Sequence, residues 1–81
     1  MNVMTLLTTK EMMKEFKISR STIMRRTREC EQSLYRKAVI HDGARRLYFD
    51  RDLWIKFMQY RSDRYYEETY GLQVVGNRSV I

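Results

Sequence analysis

The side chains best able to do chemistry in this sequence are cations, and they crowd into its middle. Residues 17–46 hold nine cations against three anions, a surplus of six that equals the formal net charge of the whole chain, +6. These cations are Lys17, Arg20, Arg25, Arg26, Arg28, Arg36, Lys37, Arg45 and Arg46. Such a block suits a polyanionic partner, because each phosphate it neutralises releases a condensed counterion. The alternative is a basic surface that only faces solvent.

Other kinds of chemistry find few candidate residues. His41 and Cys30 are the single histidine and the single cysteine of the sequence, whereas a zinc site needs three or four ligands at set spacings. The three glycines are scattered, so they form no glycine-rich phosphate loop. We therefore expect a protein that is not an enzyme and that uses no metal, cofactor or small-molecule ligand.

The elements that must position the cations begin with a short helix after Thr8. Thr8 and Glu11 form a capping box, in which each side chain accepts a hydrogen bond from the other residue's backbone N–H. The apolar face that follows consists of Met12, Met13 and Phe16. This pattern predicts a helix that ends near Lys17.

A second helix is predicted to start after Ser19, a good N-cap residue. Its apolar face consists of Ile23, Thr27 and Cys30, and the opposite face of Ser21, Arg25, Arg28 and Gln32. Two short capped helices about three residues apart, with arginines on the free face of the second, are typical of a helix-turn-helix.

A β-hairpin is predicted next. The β-prone runs 37–41 and 45–49 flank Asp42-Gly43, a strong hairpin signal because glycine adopts positive φ without steric cost. His41, Arg45 and Arg46 lie close to its tip. A hairpin that follows a helix-turn-helix and carries cations at its turn is what a DNA-binding wing would look like.

The last predicted element is a third helix, capped by Asp50 and extending to about Tyr70, where Gly71 can end it. Trp54 and Phe57 in this helix are expected to form the core with the aromatic residues of the preceding strand. The predicted fold class is mainly α with a small β-hairpin: a winged helix-turn-helix with a two-stranded wing and a C-terminal helix. We expect residues 1–59 to form this domain and residues 60–81 to form a helical extension and tail.

Two stretches of the sequence resemble a known family. The residues from Leu7 to Ile23 are similar to the opening of excisionase-type DNA-binding domains, which are relatives of the MerR winged helices. They carry Leu-Thr, an acidic Glu11 and the later Ile-Ser-x-x-Thr-Ile pattern that begins at Ile18. Residues 45–54 look like that family's wing and closing helix. The resemblance spans about residues 5–59 and is closest to the excisionases of conjugative transposons and Gram-positive phages.

The resemblance implies an architectural protein that binds and bends double-stranded DNA at an attachment site and directs a tyrosine integrase toward excision of a mobile element. Such a protein would be cytoplasmic, associated with the nucleoid of a bacterial or phage-infected cell. The second helix would enter the major groove and the wing would reach the minor groove. The residues expected to contact DNA are Arg20, Ser21, Thr22, Arg25, Arg26, Arg28, His41, Arg45 and Arg46.

Two other functions fit the same features. One is a small phage or plasmid transcriptional regulator that binds an operator, and the other is an adaptor for protein or single-stranded nucleic acid.

Residues 60–81 carry no net charge but four tyrosines, so we expect them to bind protein, either the integrase or a neighbouring copy of the chain. Folding back to widen the core is an equally good alternative. The single cysteine and the lack of a long apolar run predict an intracellular protein without a membrane partner.

Overall fold

Residues 4–71, the part of the chain that the computed structural model describes, form three α-helices and a three-stranded antiparallel sheet. In chain order the elements are β1 (Leu6–Thr8), α1 (Thr9–Phe16), α2 (Arg20–Glu31), a 3₁₀ turn (Arg36–Ala38), β2 (Val39–His41), β3 (Leu47–Asp50) and α3 (Arg51–Tyr70). This mostly helical mixture of α and β structure is compatible with the predicted winged helix-turn-helix.

The predicted starts of α1 and α2 are confirmed. The Thr8 hydroxyl accepts from the Glu11 N–H at 3.2 Å, and the Glu11 carboxylate accepts from the Thr8 N–H at 2.8 Å. The Ser19 hydroxyl accepts from the Thr22 N–H at 3.2 Å. Between the helices, Lys17 adopts a left-handed conformation with φ of 55°, which ends α1 and turns the chain toward α2.

The sheet differs from the predicted two-stranded wing, because Leu6–Thr8 forms a third strand on the free edge of β3. Its strand order is β1-β3-β2, with Leu7 opposite Phe49 on one side of β3 and Val39 opposite Phe49 on the other. The first β-prone run is also shorter than predicted, since residues 36–38 form the 3₁₀ turn before β2 begins. The predicted β2–β3 hairpin is present, but its loop is longer than the predicted turn, because β3 begins at Leu47 and not at Arg45. The Asp42 N–H donates to the Arg46 carbonyl at 2.9 Å across this loop, and Gly43 within it has φ of +86°.

The core lies between the sheet and the helices. Its buried apolar residues are Met12, Ile23, Cys30, Ala38, Val39, Phe49, Trp54 and Phe57. Trp54 is fully buried, and its ring centroid lies 5.3 Å from that of Phe49 and 5.3 Å from that of Phe57. The predicted core role of Trp54 is therefore confirmed, and so is the apolar face of α2.

Helix α3 has the predicted start and end. The Asp50 carboxylate accepts from the backbone N–H groups of Asp52 and Leu53, and Gly71 follows the helix with φ of +68°. The predicted domain boundary after residue 59 falls inside this continuous helix, and the Tyr60 ring lies 5.6 Å from that of Tyr35. The predicted tail, residues 72–81, lies outside the described residues. Within residues 4–71, no helix is both long and apolar enough to cross a bilayer.

Candidate nucleic-acid interface

The buried face of α2 determines which of its side chains reach solvent. Ile23, Thr27 and Cys30 are buried against the rest of the fold. The opposite side, which we call the free face of α2, consists of Ser21, Arg25 and Arg28 together with the C-cap residue Gln32, and all four are exposed. This exposed surface carries two guanidinium groups and two neutral polar groups, so it can donate and accept hydrogen bonds in a nucleic-acid groove.

A second basic surface lies where the starts of α1 and α2 meet the hairpin. It is a cleft of about 340 Å³, which we call the basic cleft. Its lining consists of Thr8, Thr9, Lys10, Arg20, Arg45, Arg46, Leu47 and Tyr48. Four of these eight residues are cations and none is a carboxylate, so the cleft is suited to a phosphate-bearing ligand.

Three of the residues predicted to contact DNA therefore come together from separate elements. Arg20 is the first residue of α2, whereas Arg45 and Arg46 end the loop before β3. Arg20 is at least 25 positions from the other two in the chain, and the fold places all three around one cleft. Sequence reasoning had connected Arg45 with Arg46 through the hairpin turn, and the structure adds Arg20.

Thr9 and Lys10 line the same cleft but were not among the residues predicted to contact DNA. Their position follows from the pairing of β1 with β3, in which Thr8 lies opposite Tyr48 and so brings the start of α1 beside the hairpin. A lysine in the first turn of a helix is unfavourable to the helix dipole, and this mismatch is the one local signal that could have singled out Lys10.

Two predicted residues have hydroxyl groups that already contribute to the start of α2. The Ser19 hydroxyl donates to the hydroxyl of Thr22 at 3.0 Å and lies 3.2 Å from that of Ser21. Thr22 is half-buried, whereas Ser21 is exposed on the free face. Of the two, Ser21 is the better placed to reach a ligand.

His41 connects the hairpin to α2. It ends β2, and its Nε2 lies 2.5 Å from Oε2 of Glu31, the last residue of α2. His41 is exposed and Glu31 is half-buried. The pair is a contact between the hairpin and the C-terminal end of α2, and His41 is not among the residues of the basic cleft.

Arg26 lies apart from the other predicted contacts. It is half-buried beside α3, and within residues 4–71 its Nε is buried and has no hydrogen-bond partner. Burial lowers the pKa of Arg26, and the neighbouring Arg61 and Arg25 guanidiniums lower it further. The structure thus brings Arg26 to the α2–α3 side of the molecule, away from the basic cleft.

Residues 4–71 offer few side chains for metal binding or thiol chemistry. No group of three or more His, Cys, Asp or Glu side chains there could hold a metal ion. Cys30 is buried, and its thiol donates to the Tyr35 carbonyl at 3.2 Å. Burial raises the pKa of Cys30 to about 11, which keeps the thiol protonated at neutral pH.

No protein-family model, curated protein or solved structure matches this chain. Its function is therefore inferred from the residues and the geometry described above.

Proposed function

We propose that this protein is a winged helix-turn-helix that binds double-stranded DNA through the free face of α2 and the basic cleft. The observation that carries the proposal is the convergence of Arg20 with Arg45 and Arg46 around a cleft with no carboxylate in its lining. A solvated basic surface has no need to gather cations from a helix and a hairpin into one concavity. A DNA duplex presents a row of phosphates on each side of a groove. Its groove and its phosphates are therefore suited to bind the free face of α2 and the basic cleft respectively.

The two surfaces have different tasks in this proposal. The major groove of B-DNA admits an α-helix, and an arginine can donate two hydrogen bonds to the edge of a guanine there. We assign that role to Arg25 and Arg28 on the free face of α2. The basic cleft binds phosphates, which position the protein on the duplex and carry no sequence information.

The specific role we propose is that of an excisionase, which binds and bends attachment-site DNA and directs a tyrosine integrase toward excision of a mobile element. The support for it is the resemblance of residues 5–59, and it would make the protein cytoplasmic and nucleoid-associated. Operator binding by a small regulator uses the same two surfaces, so affinity alone does not distinguish these functions. Measurements of DNA bending and of excision distinguish them.

The test of DNA binding starts from a duplex selected from a random library. Arg25→Ala should cost about 1–3 kcal/mol on that duplex and relax the preference at one base step. Arg46→Gln should weaken selected and random duplexes by the same factor. Lys56→Gln, which removes an exposed charge on α3 outside both surfaces, is the matched control and should leave affinity unchanged. Wild-type affinity in both arginine variants would refute the proposed interface.

The excisionase role is tested with the same duplex. A bend measured by circular permutation, together with excision of a marked element by an integrase encoded beside the gene, would support it. Tight binding with neither bending nor excision would instead favour the regulator.

A further inference from the structure

The second half of α3 extends beyond the core of the protein. The two buried residues of this helix, Trp54 and Phe57, lie in its first two turns, and every side chain from residue 64 to residue 70 is exposed. A short helical segment without tertiary packing is only marginally stable in water. Three of these exposed side chains are nevertheless aromatic, with ring centroids 5.4, 5.8 and 6.3 Å apart. They are Tyr65, Tyr66 and Tyr70.

One side of α3, which we call the seam face, carries uncharged side chains at the spacing of a coiled coil. It consists of Met58, Ser62, Tyr65 and Thr69, which follow one another at intervals of four, three and four positions. This alternation places the side chains on one side of a helix, as the a and d positions of a heptad do. The eight charged residues of α3 all lie at other positions. Met58 is half-buried and the other three are exposed, so a second helix has access to this face.

Large and small side chains alternate along the seam face. Met58 and Tyr65 are large, whereas Ser62 and Thr69 are small. Consider a second copy of α3 in antiparallel orientation, related by a two-fold axis centred between residues 63 and 64. Tyr65 then faces Ser62 of the second copy, and Met58 faces its Thr69, so a large residue meets a small one in every layer. In a parallel pair each residue would meet itself, which crowds the two Tyr65 rings and leaves a gap between the serines.

The charges beside the seam face favour the same antiparallel arrangement. In that register Arg61 of one copy lies beside Glu68 of the other, and the two-fold axis repeats the pair. Arg61 donates through its Nε to both carboxylate oxygens of Glu29 at 3.1 Å, which leaves its terminal Nη groups to donate elsewhere. Oε2 of Glu68 accepts from Arg64 at 2.8 Å, which leaves Oε1. Glu68 also stands in the last turn of α3, where a carboxylate is unfavourable to the helix dipole and a cation from a second copy would offset it.

We propose that this protein forms a two-fold symmetric dimer in which the seam faces of two α3 helices pack in antiparallel orientation. The occupant of the exposed face is a second copy of this chain, because the face is complementary to itself in both side-chain size and charge. The contacting segment, residues 58–69, is only about 18 Å long in each copy. Its interface is smaller than the roughly 1,600 Å² of a stable complex, so we expect a weak dimer with a Kd of about 10–1,000 µM. The dimer does not depend on DNA binding, since no residue of the seam face belongs to the basic cleft or to the free face of α2.

The experiment is sedimentation equilibrium of the full chain without DNA, at concentrations from about 5 µM to about 1 mM. The mass should rise from 10.0 kDa toward twice that value as the concentration increases. Circular dichroism checks that each variant described below keeps its helices. A constant mass of 10.0 kDa over the whole range would overturn the proposal and leave the seam face to a different partner.

Variants of the seam face test the match in size. Ser62→Tyr places a second ring opposite Tyr65 and should weaken the dimer at least about tenfold, because overpacking an interface is destabilising. Ser62 is exposed, so this change leaves the fold of each copy intact. The double variant Ser62→Tyr with Tyr65→Ser exchanges the two sizes and should recover the Kd to within about threefold. Ser62→Ala keeps a small side chain and is the control, expected to be unchanged. Wild-type dimerisation of Ser62→Tyr would overturn the proposal.

Charge variants test the antiparallel register. Glu68→Lys places a cation beside Arg61 of the second copy at both symmetric positions and should weaken the dimer about three- to tenfold. Glu67→Lys makes the same change of charge on the far side of the helix and should leave the Kd within about twofold. Adding Arg61→Glu to Glu68→Lys restores opposite charges in the antiparallel register and should recover most of the affinity. Equal effects of Glu68→Lys and Glu67→Lys, or no recovery in the double variant, would overturn the proposed dimer.

Discussion

The substitution Trp54→Ala tests the core on which both surfaces depend. Trp54 is fully buried between Phe49 of the sheet and Phe57 of its own helix. Truncating a buried aromatic residue to alanine costs about 3–5 kcal/mol, because it loses burial and leaves a cavity. At about 0.05–0.15 kcal/mol per residue, a chain of 81 residues has roughly 4–12 kcal/mol of unfolding free energy in total. The substitution should therefore remove a quarter of the stability or more.

The assay is urea unfolding followed by circular dichroism at 222 nm, since the variant lacks the single tryptophan needed for fluorescence. With a urea dependence of about 1–3 kcal/mol per molar, the unfolding midpoint should fall by about 1–5 M, or the variant should be unfolded without urea. The control is Tyr70→Ala, an aromatic truncation in the same helix at a residue 61% exposed, expected within about 0.5 kcal/mol of wild type. A cooperatively folded Trp54→Ala variant within about 1 kcal/mol of wild type would refute the assigned packing.

Two further predictions concern Cys30 and the end of α3. Because burial raises the pKa of Cys30 from 9.0 to about 11, the native thiol should react with iodoacetamide at pH 8 about 100-fold more slowly than the thiol in urea. The same shift in pKa contributes stability that is fully present below pH 9 and is lost as the pH rises toward 11. Equal rates of reaction for the native and the urea-unfolded thiol would contradict the raised pKa. Truncation after Gln59 removes Tyr60 from its contact with Tyr35 and should cost about 1–3 kcal/mol, measured as a lower melting temperature. An unchanged melting temperature would show instead that residues 60–81 contribute nothing to the fold.

The parts of the fold that were predictable from sequence are those fixed by local chemistry. The capping box at Thr8, the N-caps at Ser19 and Asp50 and the glycine after Tyr70 each act within a few residues of the chain, so their pattern can be recognised without knowing the fold. Trp54 was also predictable, because a large aromatic residue at helical spacing in a small domain has few places to lie except the core.

The parts that were missed depend on contacts between distant segments. Leu6–Thr8 is too short to show strand periodicity and becomes a strand only because β3 has a free edge beside it. Lys10 joins the basic cleft through that same pairing. The half-burial of Arg26 also depends on such a contact, because the 100° step from Arg25 turns it toward α3. Its contact with DNA stays a prediction.

The central claim, that the basic cleft binds the phosphates of double-stranded DNA, is tested most directly by the salt dependence of duplex binding. Fluorescence anisotropy with a labelled random-sequence duplex would measure affinity between 50 and 200 mM salt, about the range over which counterion release is resolved. If about four to six phosphates are contacted, log K should fall against log salt with a slope of about −4 to −5. Replacing Arg20, Arg45 and Arg46 together by glutamine should make that slope shallower by about 2 to 3, since each lost contact contributes about 0.9. A flat salt dependence, or a triple variant with the wild-type slope, would contradict the account.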